Sequence, residues 1–192
     1  MALVPYLSES DLSAADRPLL KRPINLFRAL ANSPGALRSH SVLGEWIRWH
    51  CELDPRLREL AILQVGYLTS SRYEFSHHVH IGHQFGVTDD DIDGLIAATA
   101  GDEHGLGEVE SAVLSAARQL SGGTRVDEET WETLTRHLDN QGLVDLVMVI
   151  SFYNAVVRIL EGLQIDVEPE YQHYLDRFPL PDDRNAGNQR PK

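Results

Sequence analysis

The sequence predicts an all-α protein, and three observations predict it. Apolar residues recur at three- and four-residue steps, the spacing that lines one face of a helix. Capping residues, prolines and glycines punctuate those segments where helices start and stop. No segment shows the sustained period-two alternation of a strand, and the few β-branched clusters lie inside runs of helical length. At 192 residues the chain suits a single-domain bundle with a substantial core better than two small domains.

The elements follow in order. Residues 1–23 read as an N-terminal arm that packs across the surface or a neighbouring subunit, and the helical domain runs over 24–177. Ser33-Pro34 and Asp54-Pro55 each set a capping side chain before a proline, whose fixed φ and missing N–H suit the first helical position. From Pro34 to about Leu53, the residues Leu37, Val42, Leu43, Trp46, Ile47 and Trp49 line one amphipathic face. From Pro55 to about Ser70, apolar residues fill most of the circumference, which predicts a helix buried among others with Glu59 inside it. Arg72 to Phe85 is a third helix, ended by Gly86 as a left-handed cap. Thr88 and the acids Asp89, Asp90 and Asp91 suit the positive end of a helix running to about Thr99. Gly101 to Gly107 breaks the pattern. Glu108–Leu120 and Asp127–Leu138 are two more amphipathic segments around the turn Ser121-Gly122-Gly123. Gly142–Leu163 is the longest and most apolar. Its most apolar run, Leu143 to Val157, holds Asp145 and Asn154 and falls short of the about 20 residues of a membrane span, so it reads as a core helix. Residues 178–192 are rich in Pro, Asp, Asn and Gly and are expected to form a flexible tail.

Composition narrows the function classes. With 17 basic and 29 acidic side chains the formal charge is −12, which repels phosphate backbones and anionic lipid heads, so nucleic acid and membrane are not expected partners. The chain has one cysteine, Cys51, which precludes an intramolecular disulfide, a CxxC redox pair and a multi-cysteine metal cage. That usage and the absence of a signal-like N-terminus lead to the expectation of a cytoplasmic protein.

Four of the nine histidines fall in one run, His77, His78, His80 and His83. Glu74 and His78 are four apart, so on a helix a carboxylate and an imidazole meet on one face, an arrangement that favours imidazolium and suits proton donation near neutral pH. An ordinary pair on a solvated face has the same spacing. Glu59 stands in the stretch RELAILQVGYL, whose composition predicts burial, and a buried carboxylate is costly unless paired or functional. A salt bridge to Arg56 or Arg58 is the structural alternative. His77, His80 and His83 recur at i, i+3 and i+6, which drifts around a helix and lacks an HExxH signature, so no metal site is expected. There is neither a GxSxG elbow nor a Gly-rich phosphate loop.

The stretches LRELAILQV from Leu57, YEFSHHV from Tyr73 and FGVTDDDI from Phe85 resemble the carboxymuconolactone decarboxylase family, which includes the alkylhydroperoxidase D-like proteins. LVDLV from Leu143, FYNAVVR from Phe152 and VEP from Val167 are similar to that family's closing helix, and the resemblance spans roughly residues 24–170. It implies an antiparallel helical bundle that assembles into trimers or hexamers. In the peroxidase branch a buried Glu is followed twelve residues later by CxxCxxxH. Here Glu59 is followed by Ser71 and Glu74 at the cysteine positions and His78 at the histidine, so the thiol mechanism has no nucleophile. What remains resembles the cysteine-free, decarboxylase-like branch, whose reference reaction removes the carboxylate of 4-carboxymuconolactone without metal or organic cofactor. The resemblance implies His78 as proton donor or oxyanion partner, Glu74 as the residue that orients and tunes it, and Glu59 as completing the proton network. Trp46, Trp49, His77 and Tyr153 are the expected substrate-binding residues, and the substrate is a small carboxylated lactone or related aromatic-catabolism intermediate. Three other readings stay open: a different cofactor-independent proton-transfer enzyme, a cysteine-free antioxidant-like protein that uses another cofactor, and a non-catalytic oligomeric small-ligand binder.

Overall fold

The computed structural model describes residues 2–181, and among them every regular element is helical. The α-helices are α1 (Asn25–Leu30), α2 (Pro34–Trp49), α3 (Pro55–Leu68), α4 (Arg72–Gln84), α5 (Asp89–Ala100), α6 (Glu108–Gly122), α7 (Glu128–His137), α8 (Asn140–Leu163) and α9 (Gln172–Arg177). The sequence reading omits α1 and α9, two helices of six residues each, too short to show a period.

Helix α3 is the axis of the bundle. Its residues Leu57 to Tyr67 are all buried, and it packs against α4, α5, α6 and α8. That all-round burial is what its nearly continuous apolar circumference requires. The Asp54 carboxylate caps its N-terminus by accepting from the amides of Arg56 and Leu57, both at 3.0 Å. Ser33, expected to do the same for α2, makes no side-chain cap, and Pro34 alone carries that helix start. α4 lies close on α3 because residue 66 is glycine: a Cβ there would stand 3.1 Å from the Phe75 backbone nitrogen and 3.2 Å from its Cα. Gly86, with φ of 91°, turns the chain out of α4 through the left-handed region, as expected. The Thr88 hydroxyl and the Asp91 carboxylate close a reciprocal capping box at the start of α5.

Helix α8 spans 24 residues and is long and apolar enough to cross a membrane, longer than the run weighed from the sequence. It lies against α3 and α6, with Leu146, Val149, Ile150, Val156, Val157 and Leu160 in the core. The arm of residues 2–23 packs on its own molecule: the Leu3 amide donates to the Leu163 carbonyl at 2.9 Å and the Tyr6 hydroxyl to Asp166 at 3.0 Å. Leu12 and Leu20 of the arm join Ala31 and Leu37 in a small second core. Two expectations need correction. Val42 and Trp49 do not share the buried face of α2; they are 66% and 64% exposed, and only Leu37 and Ile47 of that helix are fully buried. The tail does not begin at 178 either, since Phe178 and Leu180 are each 1% exposed within the main core. The remainder of the expected tail, 182–192, lies outside the described residues.

Candidate active site

Helix periodicity puts Tyr73, Glu74, His77, His78 and Ile81 on one face of α4, and His40, Ser41, Gly44, Glu45 and Arg48 on one face of α2. Those two faces, with Phe152, Tyr153 and Val156 of α8 and Arg22, Ile24, Leu26 and Phe27 from the arm and α1, line a cavity of about 380 Å³. Its walls are largely aromatic and aliphatic, and its polar groups are concentrated on α2 and α4. That composition suits a small organic ligand.

His78 is the centre of the polar floor. Its Nδ1 lies 2.7 Å from Glu59 Oε2 and its Nε2 lies 3.0 Å from Glu74 Oε1. The second contact is at ion-pair distance but off the hydrogen-bond angle, so Glu74 Oε1 is left buried and without a properly formed hydrogen bond. The other oxygen of Glu59 accepts from Arg58 Nε and Nη2, both at 3.0 Å, and Arg58 Nη1 donates to the carbonyls of Ile47 and Arg48. The Arg58 guanidinium also lies over the Phe85 ring, 4.5 Å from its centroid. Arg58, Glu59, Glu74 and His78 are each at most 5% exposed.

Water exclusion and charge compete at these groups. Burial disfavours the imidazolium of His78, but two carboxylates on opposite sides of the ring outweigh it and the pKa is raised. Burial would likewise lift the carboxyl of Glu59, yet His78 and Arg58 hold it below the ordinary carboxylate range. Tyr153 stacks edge-on against His78 with centroids 4.9 Å apart; burial first, then Glu74 and Glu59, push its phenol well above the usual value. With both ring nitrogens facing carboxylate oxygens, only the imidazolium can donate on both sides.

The predicted residues therefore separate into groups. Glu59, Glu74 and His78 come together. Glu59, braced by Arg58, is behind the ring and outside the cavity lining, whereas Glu74 lines the cavity beside His78. His77, Trp49 and Tyr153 also line it. Trp46 does not: it sits two residues from both Gly44 and Arg48, about 200° around the helix, and packs partly buried against the main core. His77 is stacked between Tyr73 and Tyr171, with centroids 4.0 and 3.9 Å away. Its Nδ1 meets the Tyr73 carbonyl at 2.8 Å, and its Nε2 stands 3.0 Å from Glu168. His80 turns to the Tyr174 hydroxyl and His83 to Asp89, each at 3.0 Å. The four histidines of the run thus have four separate sets of polar partners, and among the described residues no group of three or more His, Cys, Asp or Glu is placed to hold a metal ion. Ser71, at the first cysteine position of the peroxidase pattern, is fully buried and directs its hydroxyl to Glu161 of α8 at 3.1 Å.

The sequence reading missed His40, Ser41, Arg48 and Arg22. Both ring nitrogens of His40 and the Ser41 hydroxyl are buried without a hydrogen-bond partner, and His40 lies between the rings of Phe27 and Phe152. A signal for three of the four was present: positions 40, 41, 44 and 48 form a polar stripe at helical spacing along α2. Arg22 arrives from the arm, and no local pattern foretells it.

Residues 40–119 match the carboxymuconolactone decarboxylase family. Among solved structures, an uncharacterized peroxidase-related protein with an alkylhydroperoxidase AhpD core from Ralstonia eutropha is similar over 88% of this chain and 94% of its own, with TM-score 0.76 and 16% identity. The debrominase Bmp8 in complex with 2,3,4-tribromopyrrole is similar over 93% of this chain and 98% of its own, with TM-score 0.74 and 17% identity. A protein of unknown function, ATU0492 from Agrobacterium tumefaciens, covers 72% of this chain and 94% of its own at TM-score 0.64 and 20% identity. No curated protein matches the chain. The site-bearing helices thus resemble the carboxymuconolactone decarboxylase family, and the chain as a whole shares the helical fold of the AhpD-like structures.

Proposed function

We propose that this protein is a cofactor-independent acid–base enzyme that decarboxylates a small carboxylated lactone or a related unsaturated ring acid. The observation that carries the reading is the imidazole of His78 held between Glu59 and Glu74 at the floor of an otherwise apolar cavity. Loss of CO₂ breaks a carbon–carbon bond and leaves its electron pair on the ring, where an unsaturated lactone delocalises it as a dienolate. The protein then supplies one proton to carbon and positive charge to the enolate oxygen. The His78 imidazolium has both.

Roles divide by position. Glu59 takes the shorter contact on the Nδ1 side and is fixed by Arg58, so that after proton transfer Nδ1 keeps its hydrogen and the Nε2 proton is the one delivered. Glu74, at the cavity wall beside Nε2, sits where it shares that proton and contacts the substrate. The debrominase of this fold, which holds a halogenated five-membered ring, supports a ring substrate of this size.

The test is CO₂ release from freshly generated 4-carboxymuconolactone and related lactone acids, with His78→Ala as control and far-UV circular dichroism to verify the fold. Release by the native chain that the variant loses supports the reading. Equal release by both overturns it. Silence with every substrate turns the search to other proton-transfer reactions or to ligand binding. We further propose self-association through the exposed apolar residues Val42, Trp49, Val144 and Met148, to be read by light scattering on the full chain.

A further inference from the structure

The mechanism uses His78, Glu74 and Glu59, and leaves the opposite wall of the cavity unexplained. That wall is α2. Arg48 lines the cavity half-buried, Arg22 lines it from the exposed arm, and neither guanidinium has an ion-pair partner among the described residues. Burial holds the pKa of Arg48 below the usual arginine value, and the charge of Arg22 adds to the effect, so the two cations disfavour each other while the cavity is empty. Several other arginines do meet carboxylates: Arg56 meets Asp91 and Glu110, Arg58 meets Glu59, and Arg136 meets Glu108. A half-buried guanidinium without an ion pair, sharing a ligand-sized cavity with a second one and with Glu45, has hydrogen-bonding capacity suited to an anion.

Two further features of the same helix face agree. His40 and Ser41 present buried nitrogen and hydroxyl groups that no protein atom satisfies. Gly44 lies between them and Arg48 in the helix interior, where glycine is a poor choice. A Cβ at Gly44 would meet nothing within 4 Å, so the missing side chain is not needed for packing and instead leaves room in the cavity.

We infer that Arg48, assisted by Arg22, anchors a carboxylate of the substrate that is retained through the reaction, with His40 and Ser41 meeting polar atoms of the same molecule across the space left by Gly44. The inference deepens the proposed function and rests on it for the identity of the reacting end. A carboxylate about to leave as CO₂ gains nothing from a tight cationic clamp, because the clamp stabilises the charged ground state that must disappear. The anchored group is therefore a different acid from the one that leaves.

Binding tests this separately from turnover. Isothermal titration of the full chain with muconolactone, furan-2-carboxylate and benzoate is compared with the methyl ester of each. At least one acid is expected to bind roughly 30-fold or more tightly than its ester. Arg48→Gln should abolish that preference, Arg48→Lys should recover part of it, and Arg22→Gln should weaken binding only a few-fold because that side chain is exposed. Gly44→Ala should leave the thermal midpoint unchanged or raise it while weakening the acid. Acids and esters binding alike, no acid binding at all, or Arg48→Gln binding as the native chain does would each overturn the anchor. An acid preference lost in Arg48→Gln, with no CO₂ released from any lactone acid, would leave the anchor standing and remove the decarboxylase reading alone.

Discussion

Arg56 and Arg58 stand two residues apart at the start of α3, and each anchors a cluster of carboxylates. Arg56 reaches outward, donating to Asp91 from Nε at 3.1 Å and Nη2 at 2.5 Å and to Glu110 from Nη1 at 2.7 Å, which ties α3 to α5 and α6. Its side chain is 32% exposed. Arg58 reaches inward to Glu59, which holds His78, which in turn faces Glu74, and its own side chain is 2% exposed. The first cluster holds two carboxylates and one permanent cation, and borders no cavity described above. The second inserts an imidazole between its carboxylates, excludes water and opens on one side into a ligand-sized space. On the proposed function, burial and a titratable member, more than the number of charges, are what separate an acid–base centre from a structural tie.

The largest expected effect follows from breaking the inner cluster at its titratable member. His78→Ala and Glu74→Gln should each lower turnover of an accepted substrate by about 10²- to 10⁴-fold, the usual scale of general acid catalysis, while far-UV circular dichroism stays helical. Arg56→Gln should leave turnover unchanged. Loss of activity on breaking the outer cluster, or its survival on breaking the inner one, would remove the distinction.

Next comes Glu59→Gln, which keeps shape and removes the charge. Arg58 and His78 would then be buried cations with one carboxylate fewer, a situation that typically costs about 3–5 kcal/mol. Urea unfolding should show a loss of that size together with loss of turnover. If both cations were already well compensated by the carbonyls of Ile47 and Arg48 and by Glu74, stability would fall by much less, and the role of Glu59 would reduce to fixing the tautomer.

Much of this contrast was legible from the residues, and the part that was not has a physical reason. A carboxylate in a run as apolar as RELAILQVGYL identifies a buried group, and four-residue spacing pairs Glu74 with His78. The same sequence offers Arg56 and Arg58 equally as partners of Glu59. Only the rotation of α3 in the bundle decides between them, turning Arg58 inward with Glu59 and Arg56 toward Asp91 and Glu110. Spacing is also silent on which carboxylate lines the cavity, and only the fold sets Glu74 at its wall and Glu59 behind the ring. Trp46 looks like a pocket residue because an aromatic side chain on an amphipathic helix signals burial without saying against what. Arg22 and Arg48 are separated by a turn and a helix, and nothing short of the tertiary fold joins them. Phe178 and Leu180 are buried although Pro, Asp and Asn surround them, since two apolar side chains suffice to fix a short segment that composition reads as a tail.

The pH response separates His78 from the carboxylates of both clusters by sign. His78 has a raised pKa in the fold, so its contribution to stability is complete below the unfolded imidazole value of about 6.5 and is lost as pH rises through the folded value. Glu59, Asp91 and Glu110 have lowered values. Their contributions are present above the unfolded carboxylate range of about 4 and are lost as pH falls through the folded values. Loss on the alkaline side belongs to the inner cluster. Urea midpoints measured from about pH 6 upward should fall for the native chain and flatten in His78→Gln. A native profile that is flat over the same range would mean that His78 is not held as imidazolium, and proton donation would then have to begin elsewhere.

The smallest effect sharpens the outer half of the comparison. Arg56→Gln removes three charge-assisted hydrogen bonds on paper, but the guanidinium it replaces is about a third exposed and water compensates much of the loss. A cost of about 1 kcal/mol is expected, visible as a small shift in the urea midpoint that shrinks further in high salt. Asp91→Asn should cost more than Arg56→Gln, because Asp91 also accepts from the Thr88 amide at 2.9 Å and from its hydroxyl at 3.0 Å in the capping box of α5. If the two variants instead lost the same stability, the capping box would contribute nothing measurable, and Arg56 would be the sole reason for an acid at position 91.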